Sequence, residues 1–118
     1  MPSRRILSLW FPRLAAERVR RAEPRLGPGP LAVVADARGA LLLASLDAAA
    51  AGAGLRRGMA LGDARAICPG LLTRPENPWK EAAFLAALQR WAARFSPLVA
   101  AEGREGLLLD ITGCAHLF

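Results

Sequence analysis

The chain contains no tyrosine, one lysine (Lys80), one histidine (His116) and two cysteines, Cys68 and Cys114. Two cysteines exclude a disulfide scaffold, which needs several bridges in a domain of this size. Long uncharged runs are missing too. Asp36, Arg38 and Asp47 interrupt the apolar middle well short of the roughly 18 residues that a membrane-spanning helix takes. Ser3-Arg4-Arg5 before Ile6-Leu7 has the look of a twin-arginine leader. Its apolar run stops at Phe11, short of the roughly 7–15 residues that a cleavable signal uses. A cytoplasmic, reduced protein is expected.

What is present is a foldable, basic composition. Of 118 residues, 53% are hydrophobic and 22% charged, too apolar for a disordered tail and enough for one domain or part of a larger one. The net charge is +6, carried by fifteen arginines and the single lysine. Such a balance suits a polyanion, because each neutralised phosphate releases counterions. Arginine in place of lysine, together with 25 alanines, is equally what a GC-rich genome writes at solvated positions. Charge alone leaves nucleic-acid contact undecided.

Patterning gives the order β-α-β-β-α-α-β-α-β-β and an α+β layered fold. Ile6–Phe11 reads as a short strand buried on both faces. Pro12 opens a helix through Arg21, ended by Pro24 and Gly27-Pro28-Gly29-Pro30. Leu31–Asp36 and Ala40–Ser45 flank a hairpin turn at Ala37-Arg38-Gly39. An alanine-rich helix from Asp47 ends near Gly52 or Gly54, and a shorter one covers Leu61–Ile67. Leu71–Arg74 follows as a brief strand. The clearest helix runs from Pro78 to about Phe95, with Phe84, Leu88, Trp91 and Phe95 as the stripe expected in the core. Leu98–Ala101 and Leu107–Ile111 close the order as a strand pair.

Several residues carry possible chemistry. Cys114 and His116 have ligand atoms, but two residues do not close a zinc site, and Cys68 is distant in sequence. Gly52-Ala53-Gly54-Leu55-Arg56-Arg57-Gly58 is glycine-rich, yet it closes a helix instead of opening one, so a C-cap and turn are expected, not a phosphate cradle. Trp10 and Trp91 are expected in the core, which leaves Trp79 as the exposed aromatic. Glu102, Glu105 and Asp110 bracket the last hairpin, where carboxylates can hold divalent metals for nucleotidyl transfer. The partner acid should come from the first strand, and Ile6–Phe11 has none.

Three segments, Arg5-Ile6-Leu7-Ser8-Leu9-Trp10-Phe11-Pro12-Arg13-Leu14, Gly54-Leu55-Arg56-Arg57-Gly58-Met59 and Leu107–Phe118, together resemble the ImuB family. These are Y-family DNA polymerase homologues of bacterial damage-inducible mutagenesis cassettes. The resemblance implies a partial polymerase palm at residues 1–11 and 76–118, with an inserted fingers-like subdomain at 12–75. Family members are several times longer, so an N-terminal piece without thumb and little finger is expected. In catalytic relatives the first palm strand reads Asp-x-Asp-x-x-x-Ala. With that alanine on Ala15, the two acids fall on Leu9 and Phe11. The later motif, Ser-x-Asp-Glu-x-x-Leu-Asp, lands on Gly103–Asp110, with its adjacent acids on Glu105 and Gly106. The tyrosine and arginine that hold the incoming triphosphate fall on Ala48 and Ala51.

The resemblance therefore implies a polymerase scaffold without catalysis, metal or cofactor. It would bridge a RecA-like cassette protein (ImuA type), an error-prone replicative-type polymerase and, through regions outside this chain, the sliding clamp. Weak DNA binding is expected through Arg18, Arg20, Arg21, Arg56 and Arg57, and self-association through apolar surface. Two rival readings stand beside this one: an active polymerase with divergent metal ligands, and a simple basic nucleic-acid-binding module.

Overall fold

Why the six short strands among the described residues pair as they do follows from which residues each can hide. A computed structural model describes residues 4–112 of the chain. It has the expected order of elements, divided between two units: one from residues up to Phe11 and from Trp79 onward, the other from Pro12–Pro78.

In the Pro12–Pro78 unit, β2 (Leu31–Ala37) and β3 (Ala40–Leu46) form an antiparallel hairpin, and β4 (Leu72–Pro75) pairs parallel to β2. The hairpin turns on Arg38 and Gly39, both at positive φ, with the Gly39 N–H donating to Asp36 Oδ1 at 2.8 Å. Leu31-Ala32-Val33-Val34 is buried throughout because β2 is the central strand with apolar clusters on both sides. Leu31 and Val33 pack with Ala16 and Val19 of α1 (Leu14–Ala22). Ala32 joins Leu43, Leu46, Ala50 of α2 (Ala48–Gly52) and Ala64 of α3 (Leu61–Ile67). The parallel β2–β4 pairing was not legible in the sequence, since nothing local to Leu72–Pro75 names its partner.

In the other unit, β1 (Ile6–Trp10), β6 (Gly106–Asp110) and β5 (Val99–Glu102) form an antiparallel sheet in the order β1-β6-β5. Register pairs Leu7 with Leu109 and Leu9 with Leu107, so these four share one face, on which Leu107 and Leu109 are buried. The opposite face is open. Ile6, Ser8 and Trp10 are exposed, Trp10 at 69%, which corrects the expectation of a doubly buried strand and of a core Trp10. A six-residue apolar run does not say how many layers flank it.

Helix α4 (Pro78–Ala92) is tied to this sheet by Gln89 Nε2, which donates to Val99 O at 3.1 Å, and by Arg104, 3.6 Å from Glu81. Its buried positions are Glu81, Leu85 and Ala92. The expected core stripe through Trp91 is thus corrected: Trp91 is 55% exposed and meets Phe95 edge-on, ring centroids 5.1 Å apart. Leu85 and Ala92 also fall at helical spacing, and periodicity does not choose between two apolar stripes on one helix. Trp79 is 88% exposed, as expected.

Candidate functional site

The β1–β6 ladder decides which motif positions meet. It sets Leu9 opposite Leu107 and Trp10 opposite Gly106, and the Phe11 N–H donates to Glu105 O at 2.7 Å. Leu9, Phe11, Glu105 and Gly106 are thereby gathered at one end of the sheet. Beside them is an open cleft of about 370 Å³, lined by residues that include Ser8, Leu9, Glu102, Glu105 and Gly106. Side-chain oxygen in the cleft comes from Ser8, Glu102 and Glu105. The Ser8 hydroxyl donates to Glu102 Oε2 at 3.1 Å.

Asp110 does not join them. It pairs with Ile6 at the far end of the ladder, about 13 Å along the strand from Gly106. Hydrogen bonds from the Thr112 side chain and backbone hold its carboxyl below the usual aspartate range, and nearby Arg4 adds to this. The rival ligand set Glu102, Glu105 and Asp110 is therefore split between the two ends of β6.

The acids of the catalytic relatives' motif would serve a pair of divalent ions here, and the donors present do not fit one. Two-metal transfer needs carboxylates converging on ions roughly 3.5–4 Å apart. Leu9, Phe11 and Gly106 offer no side-chain oxygen, which leaves Glu105 as the one acid among the four motif positions. Among the described residues, no group of three or more His, Cys, Asp or Glu is placed to hold a metal ion. Cys68 is a free thiol at the end of α3, while Cys114 and His116 lie outside the described residues.

In the Pro12–Pro78 unit, Ala48 and Ala51 are exposed on α2 and present only methyl groups. The following glycine-rich segment is the expected helix end and turn: Gly54 and Gly58 have φ of +96° and +84°. The turn is anchored on β3 by Gly58 N–H to Leu43 O at 2.7 Å. Arg56 and Arg57 are exposed on it, Arg21 is exposed at the end of α1, and Arg18 is half-buried. Arg20 behaves differently. Its guanidinium donates to the carbonyls of Gly27 and Gly29 and to Asp47 Oδ2, so it holds the Gly27–Pro30 loop to the N-terminus of α2. No local signal in Arg18-Val19-Arg20-Arg21 marks which arginine turns inward. Arg74, likewise unforeseen, forks onto Glu23 at 3.0–3.2 Å, and that carboxylate raises its pKa.

Comparison with known proteins places these features. The impB/mucB/samB family model matches residues 9–118. Protein ImuB of Caulobacter vibrioides is 48% identical over 65 residues, covering 55% of this chain and 14% of that protein. DNA polymerase IV of Pelotomaculum thermopropionicum is 35% identical over 100 residues, covering 81% of this chain and 24% of that protein. The matched segments thus span a quarter or less of these relatives' own length. Among solved structures, a post-insertion binary complex of Dbh DNA polymerase superposes with a TM-score of 0.82, covering 90% of this chain and 31% of that one at 18% identity. DinB from Sulfolobus solfataricus gives 0.78 over 89% of this chain and 31% of that one, again at 18% identity. At that identity the likeness establishes the fold.

Proposed function

The chain belongs to the impB/mucB/samB family and has the fold of Y-family DNA polymerases, and from that premise we propose that it is a catalytically inactive, polymerase-like adaptor in damage-induced translesion DNA synthesis. One observation carries the reading. Where Leu9, Phe11, Glu105 and Gly106 come together, one carboxylate stands in place of a set. Glu105, with the cleft's other acid Glu102 engaged by the Ser8 hydroxyl, holds at most a loosely bound, mostly hydrated Mg²⁺, because that ion wants a complete octahedral shell. Ala48 and Ala51 offer no hydroxyl or cation to a triphosphate.

On this reading the fold serves as a scaffold, with residues 1–11 and 76–118 as partial palm and 12–75 as fingers. Its partners are a RecA-like cassette protein, an error-prone replicative-type polymerase and, through regions outside this chain, the sliding clamp. Exposed Ile6, Trp10, Trp91 and Leu98 supply apolar surface for partner capture or self-association. Arg56 and Arg57 supply sequence-blind DNA contact.

The 35% identity to a DNA polymerase IV favours a second reading, a working polymerase with divergent ligands. Primer extension with the purified protein in Mg²⁺ and in Mn²⁺ separates the two. Silence, with co-purification of the cassette proteins retained, is expected. Template-directed incorporation that disappears on Glu105→Ala overturns the adaptor reading.

A further inference from the structure

Gly106 is unlike every other described glycine. At most of them a Cβ would meet nothing within 4 Å, and at Gly29 the nearest atom is a leucine methyl at 3.8 Å. A Cβ on Gly106 would lie 2.9 Å from Glu102 O and 3.1 Å from Leu9 O. Real Cβ atoms essentially never approach a heavy atom within 3.0 Å. Moreover, the two obstacles are backbone carbonyls, not the ends of flexible side chains. Gly106 does not occupy the left-handed region, so its backbone conformation is open to any residue. Space alone demands glycine there.

Neither carbonyl is free to retreat. Leu9 is held in the β1–β6 ladder, and the next turn of that ladder is closed by Phe11 N–H on Glu105 O. Glu102 pairs with Gly106 across Gly103-Arg104-Glu105, a turn that requires φ of +62° at Gly103. Gly106 is thus pinched in the central strand between both neighbours.

We infer that Gly106 is a sterically closed position, one that backbone carbonyls of both neighbouring strands bar to any side chain, including the carboxylate that the family motif would set there. The loss of the second acid is then built into the three-strand junction and is not one substitution from reversal. The functional meaning of this inference rests on the adaptor reading; the steric claim does not.

The test is thermal unfolding of the chain carrying Gly106→Ala, with Gly62→Ala as control. Gly62 lies in α3, and a Cβ there meets nothing within 4 Å. Gly62→Ala should leave Tm unchanged or raise it by reducing unfolded-state entropy. Gly106→Ala should lower Tm by roughly 5–15 °C, as overpacking does in a domain of this size. A Tm at or above the parent's for Gly106→Ala overturns the inference, and because one methyl decides, a failure of Gly106→Glu to fold does not obscure the result. As a second arm, Leu9→Asp with Gly106→Glu should gain no saturable Mn²⁺ binding; a double variant that keeps the parent's Tm and binds Mn²⁺ also overturns it. Primer extension by the unmodified chain together with an intolerant Gly106 would sink the adaptor reading alone. A tolerant Gly106 with silent extension would sink the steric inference alone.

Discussion

Arg20 and Asp47 stand 27 residues apart in sequence and meet at 3.2 Å. The other oxygen of the same carboxylate accepts from Ala50 N at 2.8 Å and Leu31 N at 3.2 Å. One aspartate therefore caps α2, anchors the first residue of β2 and receives the arginine that binds the Gly27–Pro30 loop.

Asp47→Ala should cost about 2–4 kcal/mol, a lost N-cap together with part-buried donors left unpaired. Asp47→Asn keeps an acceptor for both N–H groups and should cost about half as much, since asparagine caps as well as aspartate. Urea denaturation of the two variants checks the order, and equal losses would show the charge on Arg20 to matter more than the cap.

On α4, Leu85→Ala should cost about 2–5 kcal/mol, as for a buried leucine. Trp91→Ala should cost about 1 kcal/mol, because over half of that residue is already in water. The reverse ranking in chemical denaturation would restore the Trp91 stripe to the core.

DNA affinity should fall on charge reversal of Arg56 and Arg57, uniformly across sequences. Each phosphate contact removed should lower the slope of log affinity against log salt by about 1. Arg20→Ala should instead lower stability, because its guanidinium is engaged internally. Fluorescence anisotropy at several salt concentrations reads the first effect, and unchanged binding after reversal removes that turn from the interface.

Acid should weaken the β1–β6 sheet through Asp110. Its folded-state pKa is depressed by the Thr112 hydrogen bonds and by Arg4. That contribution is fully present above the unfolded aspartate value, near 3.9, and is lost as pH falls through the lower folded value. Asp110→Asn should be the less stable protein at neutral pH and should converge on the parent in strong acid. A constant difference between the two from neutral to strong acid would remove Asp110 from the acid response.

Much of this protein is decided by residue identity. Proline, glycine and apolar spacing act over a few residues, so the order of elements from Ile6 to Asp110 follows from the chain itself. So does the poverty of the motif positions: leucine, phenylalanine, alanine and glycine carry no side-chain oxygen or charge in any fold. Tertiary structure decided what depends on distant partners. It turned Glu81, Leu85 and Ala92 inward on α4 and left Trp91 outside, and it left one face of β1 open with Trp10 in water. It drew Arg20 onto Asp47 while Arg21 stayed exposed. It also pressed two backbone carbonyls, from β1 and β5, against Gly106. Periodicity and propensity are local energies, whereas burial, ion pairing and crowding are set by atoms brought together from remote parts of the chain, and no local pattern encodes which atoms those are.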